Sequence, residues 1–253
     1  MNLHKTNKEA TMLFPHIARR FGIWLAYLTA VLTGFACTFF FKVLNRTHVY
    51  GKQNVPSQRQ GVILVSNHQT MHDSFFILWA RYFPEIIAYP SHLPLNFAAK
   101  ENYFVRWYFI ILLRLLRTIP VNHRADPWLM RKYLQYIRDN NLLIFYQGTR
   151  SYKLDLIKNG PGFIVAHSNN PVTVIPVYIE GVSKVFGGPK TKGFFGRWFP
   201  RSLLRHMVVA FGEKIDFSDI DIIEDARQRA TVINQRIIDA IKRLHDQYTL
   251  ERA

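Results

Sequence analysis

The stretch FGIWLAYLTAVLTGFACTFFF, residues 21–41, carries no charged side chain. Wound as a helix it is about 30 Å long, the thickness of a bilayer's hydrocarbon core. It is longer than the apolar region of a secretory signal and lacks a clear small-x-small cleavage site. Its apolarity on every face argues against a helix of an ordinary soluble core. The expectation is an N-terminal membrane-embedded helical segment within residues 1–50, followed by a separate unit over 51–253. Lys5, Lys8, Arg19 and Arg20 precede the run, and Lys42, Arg46, Lys52 and Arg59 follow it. The positive-inside rule therefore gives no orientation. A single span would place one basic flank outside the cytosol. A helical hairpin resting in one leaflet, bent near Gly34, would keep both flanks on one side; a membrane-anchoring helix and a hairpin both stay open, with the hairpin slightly favoured.

From Gly61 the texture changes to that of an α/β domain. GVILVSN reads as a buried strand running into a polar turn. DPWLMRKYLQYIRDN reads as a helix, with Asp126 as N-cap and Pro127 in the first helical position. NLLIFYQGT, PVTVIPVYIEG and HMVVAFGEKIDF read as further strands. Ile233, Ile237, Ile241, Leu244 and Tyr248 form the stripe of an amphipathic C-terminal helix. Alternating strands and helices predict a mostly parallel or mixed sheet flanked by helices. Ligands of such sheets bind beyond the carboxyl ends of the strands, where SNH and YQGTR both fall.

Charge narrows the partners. Lys and Arg number 33 against 17 Asp and Glu, a formal net charge of +16. An excess of that size favours an anionic partner. FFGRWFPRSLLRH, residues 194–206, interleaves aromatic and basic residues as a membrane interface requires. There is no zinc-finger, helix-turn-helix or RNA-recognition pattern, so nucleic acid is not expected. The single cysteine, Cys37, excludes an intramolecular disulfide, and its apolar surroundings argue against a nucleophilic role.

SNHQTMHDS, residues 66–74, holds the chemistry. If residues 67–74 were one regular helix, His68 and His72 would share a face and Asp73 would lie far around from His68, an arrangement suited to a metal pair. If His68 instead sits in the turn after the strand, Asp73 can fold back onto it. The strand over GVILV favours this second geometry. A carboxylate on one imidazole nitrogen sets the tautomer and leaves the other nitrogen free to accept a proton.

The sequence resembles the glycerolipid and lysophospholipid acyltransferases in an ordered set of motifs. Asn67-His68, four spacers and Asp73 are similar to the first motif. AAKENYF and RTIPVNHR resemble the second-motif region, and FYQGTRS the third motif, usually Phe-Pro-Glu-Gly-Thr-Arg-Ser. KNGPGFIVAHSNNPVTVIPVYI and VAFGEKIDF are similar to the later segments. The resemblance implies transfer of a fatty acyl group from acyl-CoA or acyl carrier protein to a lysophospholipid hydroxyl, most often that of lysophosphatidic acid. It implies His68 as general base oriented by Asp73. It also implies Gln147, Gly148, Thr149, Arg150, Arg124 and Lys100 as substrate-binding positions. No metal or other cofactor is implied, and membrane phospholipids are the expected surroundings. The small bacterial members carry an N-terminal apolar anchor, implying a catalytic domain on the cytosolic face of a bacterial inner membrane. Two features depart from the pattern. Gln147 stands where Glu is usual, keeping the size but not the charge, and Arg124 sits one position late. The alternatives are a metal-dependent hydrolase using His68, His72 and Asp73, and a non-enzymatic lipid-binding relative, for which Gln147 is the support.

Overall fold

The computed structural model describes residues 3–104, 106–122, 129–158, 160–168 and 170–249. Helix α1, Leu3–Thr38, opens the chain and widens into a π-helical turn over Phe39–Val43. Strand β1 (Arg46–Tyr50) follows, then β2 (Val62–Ser66) and α2 (Asp73–Tyr82). Next come β3 (Leu95–Ala99), α3 (Lys100–Tyr103), α4 (Trp107–Leu115), β4 (Thr118–Val121) and α5 (Leu129–Ile137). The chain continues through β5 (Leu142–Phe145), α6 (Gly160–Ala166), β6 (Thr173–Glu180), α7 (Val182–Phe186) and α8 (Phe194–Trp198). It closes with β7 (His206–Phe211) and α9 (Ala226–Tyr248).

The strands form one seven-stranded sheet in the order β1-β7-β6-β2-β5-β3-β4. Every pairing is parallel except β6 with β7. The expected mixed α/β sheet is thus present. Side chains alternate between its faces. Val62, Leu64, Ile175, Val177 and Val209 point into one core, with Phe41, Phe76, Ile77 and Phe186. Ile63, Val65, Leu142, Val174 and Ala210 point into the other, with Ile164, Ile233, Ile237, Ile241 and Leu244. All five residues of β2 are buried, as a strand covered on both faces requires. The predicted stripe on α9 lies in the second core, and each such side chain contributes about 1.5–3 kcal/mol on burial. Prolines fall where the ladder tolerates them. Pro120 is in the edge strand β4, and Pro176 lies in β6 one residue beyond the register with β7, where no donor is needed.

Helix α1 differs from the expected hairpin. It runs unbroken through Gly34, whose missing side chain admits the Phe83 ring: a Cβ there would lie 2.2 Å from that ring. One face of its second half packs on the domain through Ala30, Cys37 and Phe41, and Tyr27 Oη donates to the Ile87 carbonyl at 2.9 Å. Its other face stays exposed at Phe21, Trp24, Leu28, Leu32, Phe35 and Phe39. Arg20–Val43 is long and apolar enough to cross a membrane. The expected helix start at Asp126 and Pro127 lies outside the described residues, as does Arg124.

Candidate active site

Register brings the two motifs together. Ser66, the last residue of β2, pairs with Phe145, the last of β5, and with Val177 of β6. Two residues beyond each end stand His68 and Gln147, at the carboxyl edge of neighbouring strands. Asn67 ties this edge to β6. Its Nδ2 donates to the Ile179 carbonyl at 2.9 Å, and its Oδ1 accepts from Ile179 N–H at 2.8 Å.

The turn after β2 leads into α2, whose first residue is Asp73. The Asp73 carboxylate folds back over the turn and is fully buried. Its Oδ2 lies 2.8 Å from His68 Nδ1 and accepts from the Gln69 and Thr70 backbone N–H groups at 2.5 and 2.8 Å. Its Oδ1 accepts from Thr70 Oγ1 at 2.6 Å, while Thr70 Oγ1 itself accepts from His72 N–H at 3.0 Å. The helix N-terminus adds its partial positive charge. A buried carboxylate held by so many donors is fixed in place. With Asp73 on Nδ1, the His68 imidazole keeps Nε2 for a reacting proton. Its ring stacks on Phe145 at 4.1 Å. Sequence reasoning overlooked Thr70, although Thr-x-x-Asp is the spacing of a capping box.

His72 turns elsewhere. It stacks on Phe186 at 3.7 Å and meets the edge of Trp198 at 5.5 Å. Burial pushes its pKa down to about 4, against the pull of Asp73 and a hydrogen bond to the Trp198 backbone. The two imidazoles therefore rest on different walls. Among the described residues no group of three or more His, Cys, Asp or Glu is arranged to hold a metal. The metal-pair geometry, which needed one regular helix over 67–74, does not form.

His68 opens onto a cavity of about 170 Å³. Gly148, Thr149 and Arg150 share its polar end with His68, while Phe97, Ala98, Val121, Leu129, Tyr133 and Leu143 give it an apolar body. Gly148 has φ +61°, and a Cβ there would lie 2.6 Å from Lys158 Cδ, so the turn requires glycine. Arg150 is half-buried and makes no hydrogen bond or ion pair among the described residues. Burial lowers its pKa, with Arg197 acting in the same direction and Tyr103 and Asp73 opposing. A partly desolvated guanidinium with no hydrogen-bond partner among the described residues is arranged to receive an anion from the cavity. Tyr103 also lines the cavity, and its hydroxyl donates to the Met71 carbonyl at 3.3 Å. Burial, with Asp73 second, raises its pKa.

Two expected binding positions are placed differently. Lys100 is exposed, with Ala99, Asn102 and Tyr103 lining the cavity in its stead. Its side chain follows α3 outward, because the wall is made by the other face of that short helix. Gln147 is fully buried, and its amide is spent on backbone groups rather than turned to the cavity.

A histidine–carboxylate pair and a guanidinium share one cavity at the carboxyl edge of an α/β sheet, the place where such folds bind their ligands. The Acyltransferase family model matches residues 46–180, the span from β1 to the end of β6. The chain belongs to that family and is an enzyme of acyl transfer. It is 24% identical over 224 residues to the 1-acyl-sn-glycerol-3-phosphate acyltransferase of Streptococcus pneumoniae, covering 85% of this chain and 75% of the relative. Its fold is similar to the crystal structure of the 1-acyl-sn-glycerophosphate (LPA) acyltransferase PlsC of Thermotoga maritima. The TM-score is 0.56 at 20% identity, over 90% of this chain and 83% of that one.

Proposed function

We propose that this enzyme transfers a fatty acyl group from an acyl thioester, on coenzyme A or acyl carrier protein, to the free hydroxyl of lysophosphatidic acid, giving phosphatidic acid. The observation that carries the reading is the 2.8 Å contact between His68 Nδ1 and Asp73 Oδ2 at a cavity that Arg150 also lines. In this reading His68 Nε2 removes the acceptor's hydroxyl proton as its oxygen attacks the thioester carbonyl. The C–O bond forms, the C–S bond breaks, and His68 returns the proton to the leaving thiolate. Asp73 holds the imidazole and stabilises its cationic form. Gly148, with no side chain, lets the acceptor's phosphate approach the turn, the Thr149 hydroxyl and the Arg150 guanidinium receive it, and the apolar body of the cavity receives an acyl chain. Both substrates keep all the atoms needed, so no cofactor enters.

The membrane is the natural source of such an acceptor. The exposed face of α1 continues onto Trp107, Tyr108 and Ile111 of α4 and onto Phe194, Phe195 and Phe199 around α8. Phe109 joins these helices, 4.7 Å from Trp198 and 6.1 Å from Phe194. An apolar surface of this extent favours burial in lipid. The excess of basic residues suits the cytosolic leaflet of a bacterial inner membrane, the location we assign to the catalytic domain. The test is thiol release by the purified enzyme from acyl-CoA and acyl carrier protein donors, with lysophosphatidic acid as acceptor. Turnover lost in His68→Ala supports the reading. No turnover above that variant with any donor would refute it.

A further inference from the structure

Gln147 stands at the position where the motif FYQGTRS departs from its usual glutamate, and the structure gives the amide a task a carboxylate cannot perform. Its side chain is fully buried and has three partners of fixed polarity. Oε1 accepts from the His68 backbone N–H at 2.6 Å. Nε2 donates to the carbonyls of Ser151 and Lys153 at 3.2 and 2.7 Å. A backbone N–H can only donate and a carbonyl can only accept, so these partners set the orientation of the amide without ambiguity. The same loop returns to His68 a second time, because Ser151 N–H donates to the His68 carbonyl at 2.7 Å. The peptide groups on both sides of His68 are thus held by residues 147–151, while its ring is held by Asp73 and Phe145.

We propose that Gln147 is a positioning residue that sets the backbone of His68, and that this site is built for a neutral hydrogen-bond donor rather than for the acidic residue. A carboxylate at 147 could still accept from His68 N–H. Its second oxygen would then face two carbonyl oxygens in a buried space, a repulsion with no solvent to relieve it. The strain is relieved only when that carboxyl is protonated, since an O–H can donate to one of the carbonyls. Gln147→Glu therefore titrates: its buried carboxyl binds a proton more tightly in the folded than in the unfolded chain. Folded-state protonation persists above the unfolded value of about 4.3, so the variant's stability deficit grows as pH rises above that value. The proposal rests on the acyl-transfer reading only in taking His68 as the reacting group.

The experiment compares full-length wild type, Gln147→Glu and Gln147→Met in detergent, from pH 5 to pH 8. Gln147→Glu is expected to lose kcat by on the order of tenfold to a hundredfold at pH 8, the scale of a misplaced catalytic group, with acceptor KM little changed. Relative to wild type its loss shrinks toward pH 5. Gln147→Met, which removes the donor at every pH, shows a loss that does not change with pH. Thermal midpoints over the same range read the same titration without substrate. If the wild type proves inactive toward every acceptor, the acyl-transfer reading fails, while the midpoints still decide the role of Gln147. Gln147→Glu turnover at pH 8 equal to or above wild type would overturn the proposal. So would glutamate and methionine variants with the same pH-independent deficits in both readouts.

Discussion

Asp73 carries more structure per atom than any other side chain in the site. It joins the first turn of α2, the loop after β2 and the His68 ring through four short contacts. Asp73→Asn keeps the shape but turns an N–H toward donors that need an acceptor, and it no longer sets the His68 tautomer. A fall in kcat of about 10²–10⁴-fold is expected, the span of general-base catalysis, and steady-state thiol release checks it. His72 predicts a different effect. Its pKa lies near 4 because burial disfavours the cation, so the folded chain holds fewer protons than the unfolded one below the unfolded value of about 6.5. Stability is full above that value and falls between about pH 6.5 and 4, by on the order of 1–3 kcal/mol. Replacing His72 by Phe, which keeps the stack on Phe186, should flatten that part of a pH-dependent melting series. The His68–Asp73 pairing was legible in the sequence because the preceding strand favours a turn at His68 over a regular helix, and a turn lets Asp73 fold back. The separate role of His72 was not, since its partners Phe186 and Trp198 lie more than a hundred positions away.

At the scale of single elements, the start of α2 and the last turns of α1 each depend on one small residue. Thr70 serves as both donor to Asp73 and acceptor from His72 N–H. Thr70→Val should cost about 1 kcal/mol of stability, the usual worth of a cap, and should lower kcat with little change in KM because it loosens Asp73 rather than the cavity. Gly34→Leu drives a side chain into the Phe83 ring and should cost about 1–3 kcal/mol of stability through overpacking, read as a lower melting temperature. The buried strands β2, β5 and β6 were legible from their apolar runs, and α9 from its stripe. Strands β1, β3 and β4 were not. RTHVY is half-exposed, LNFAA is short and has little β-branching, and TIPV contains a proline that only an edge position tolerates. Their pairing is decided by neighbours distant in the chain. The expected hairpin at Gly34 failed for a related reason: a glycine in an apolar run signals a bend or a close approach equally well, and here Phe83 makes it an approach.

On the scale of the whole molecule, the exposed apolar surface of α1, α4 and α8 continues to Leu203 and Leu204. Leu204 donates its N–H to the Leu44 carbonyl at 2.9 Å, placing this loop beside the end of α1. It is 74% exposed and has φ +57°, an uncommon backbone state for leucine. A fluorophore sensitive to polarity, attached at Leu204→Cys in a Cys37→Ala background, should shift to shorter wavelength when vesicles containing phosphatidylglycerol are added. An unchanged spectrum from protein that floats with the vesicles would remove this loop from the lipid-facing surface.

The central claim is that one cavity holds both the proton acceptor and the phosphate receptor. Steady-state kinetics of Arg150→Ala against two acceptors, lysophosphatidic acid and a monoacylglycerol that lacks the phosphate, tests it most directly. A KM for lysophosphatidic acid raised about tenfold or more, the worth of a charge-assisted contact, with little change for the monoacylglycerol, is the predicted result. Equal losses with both acceptors, or none with either, would contradict it.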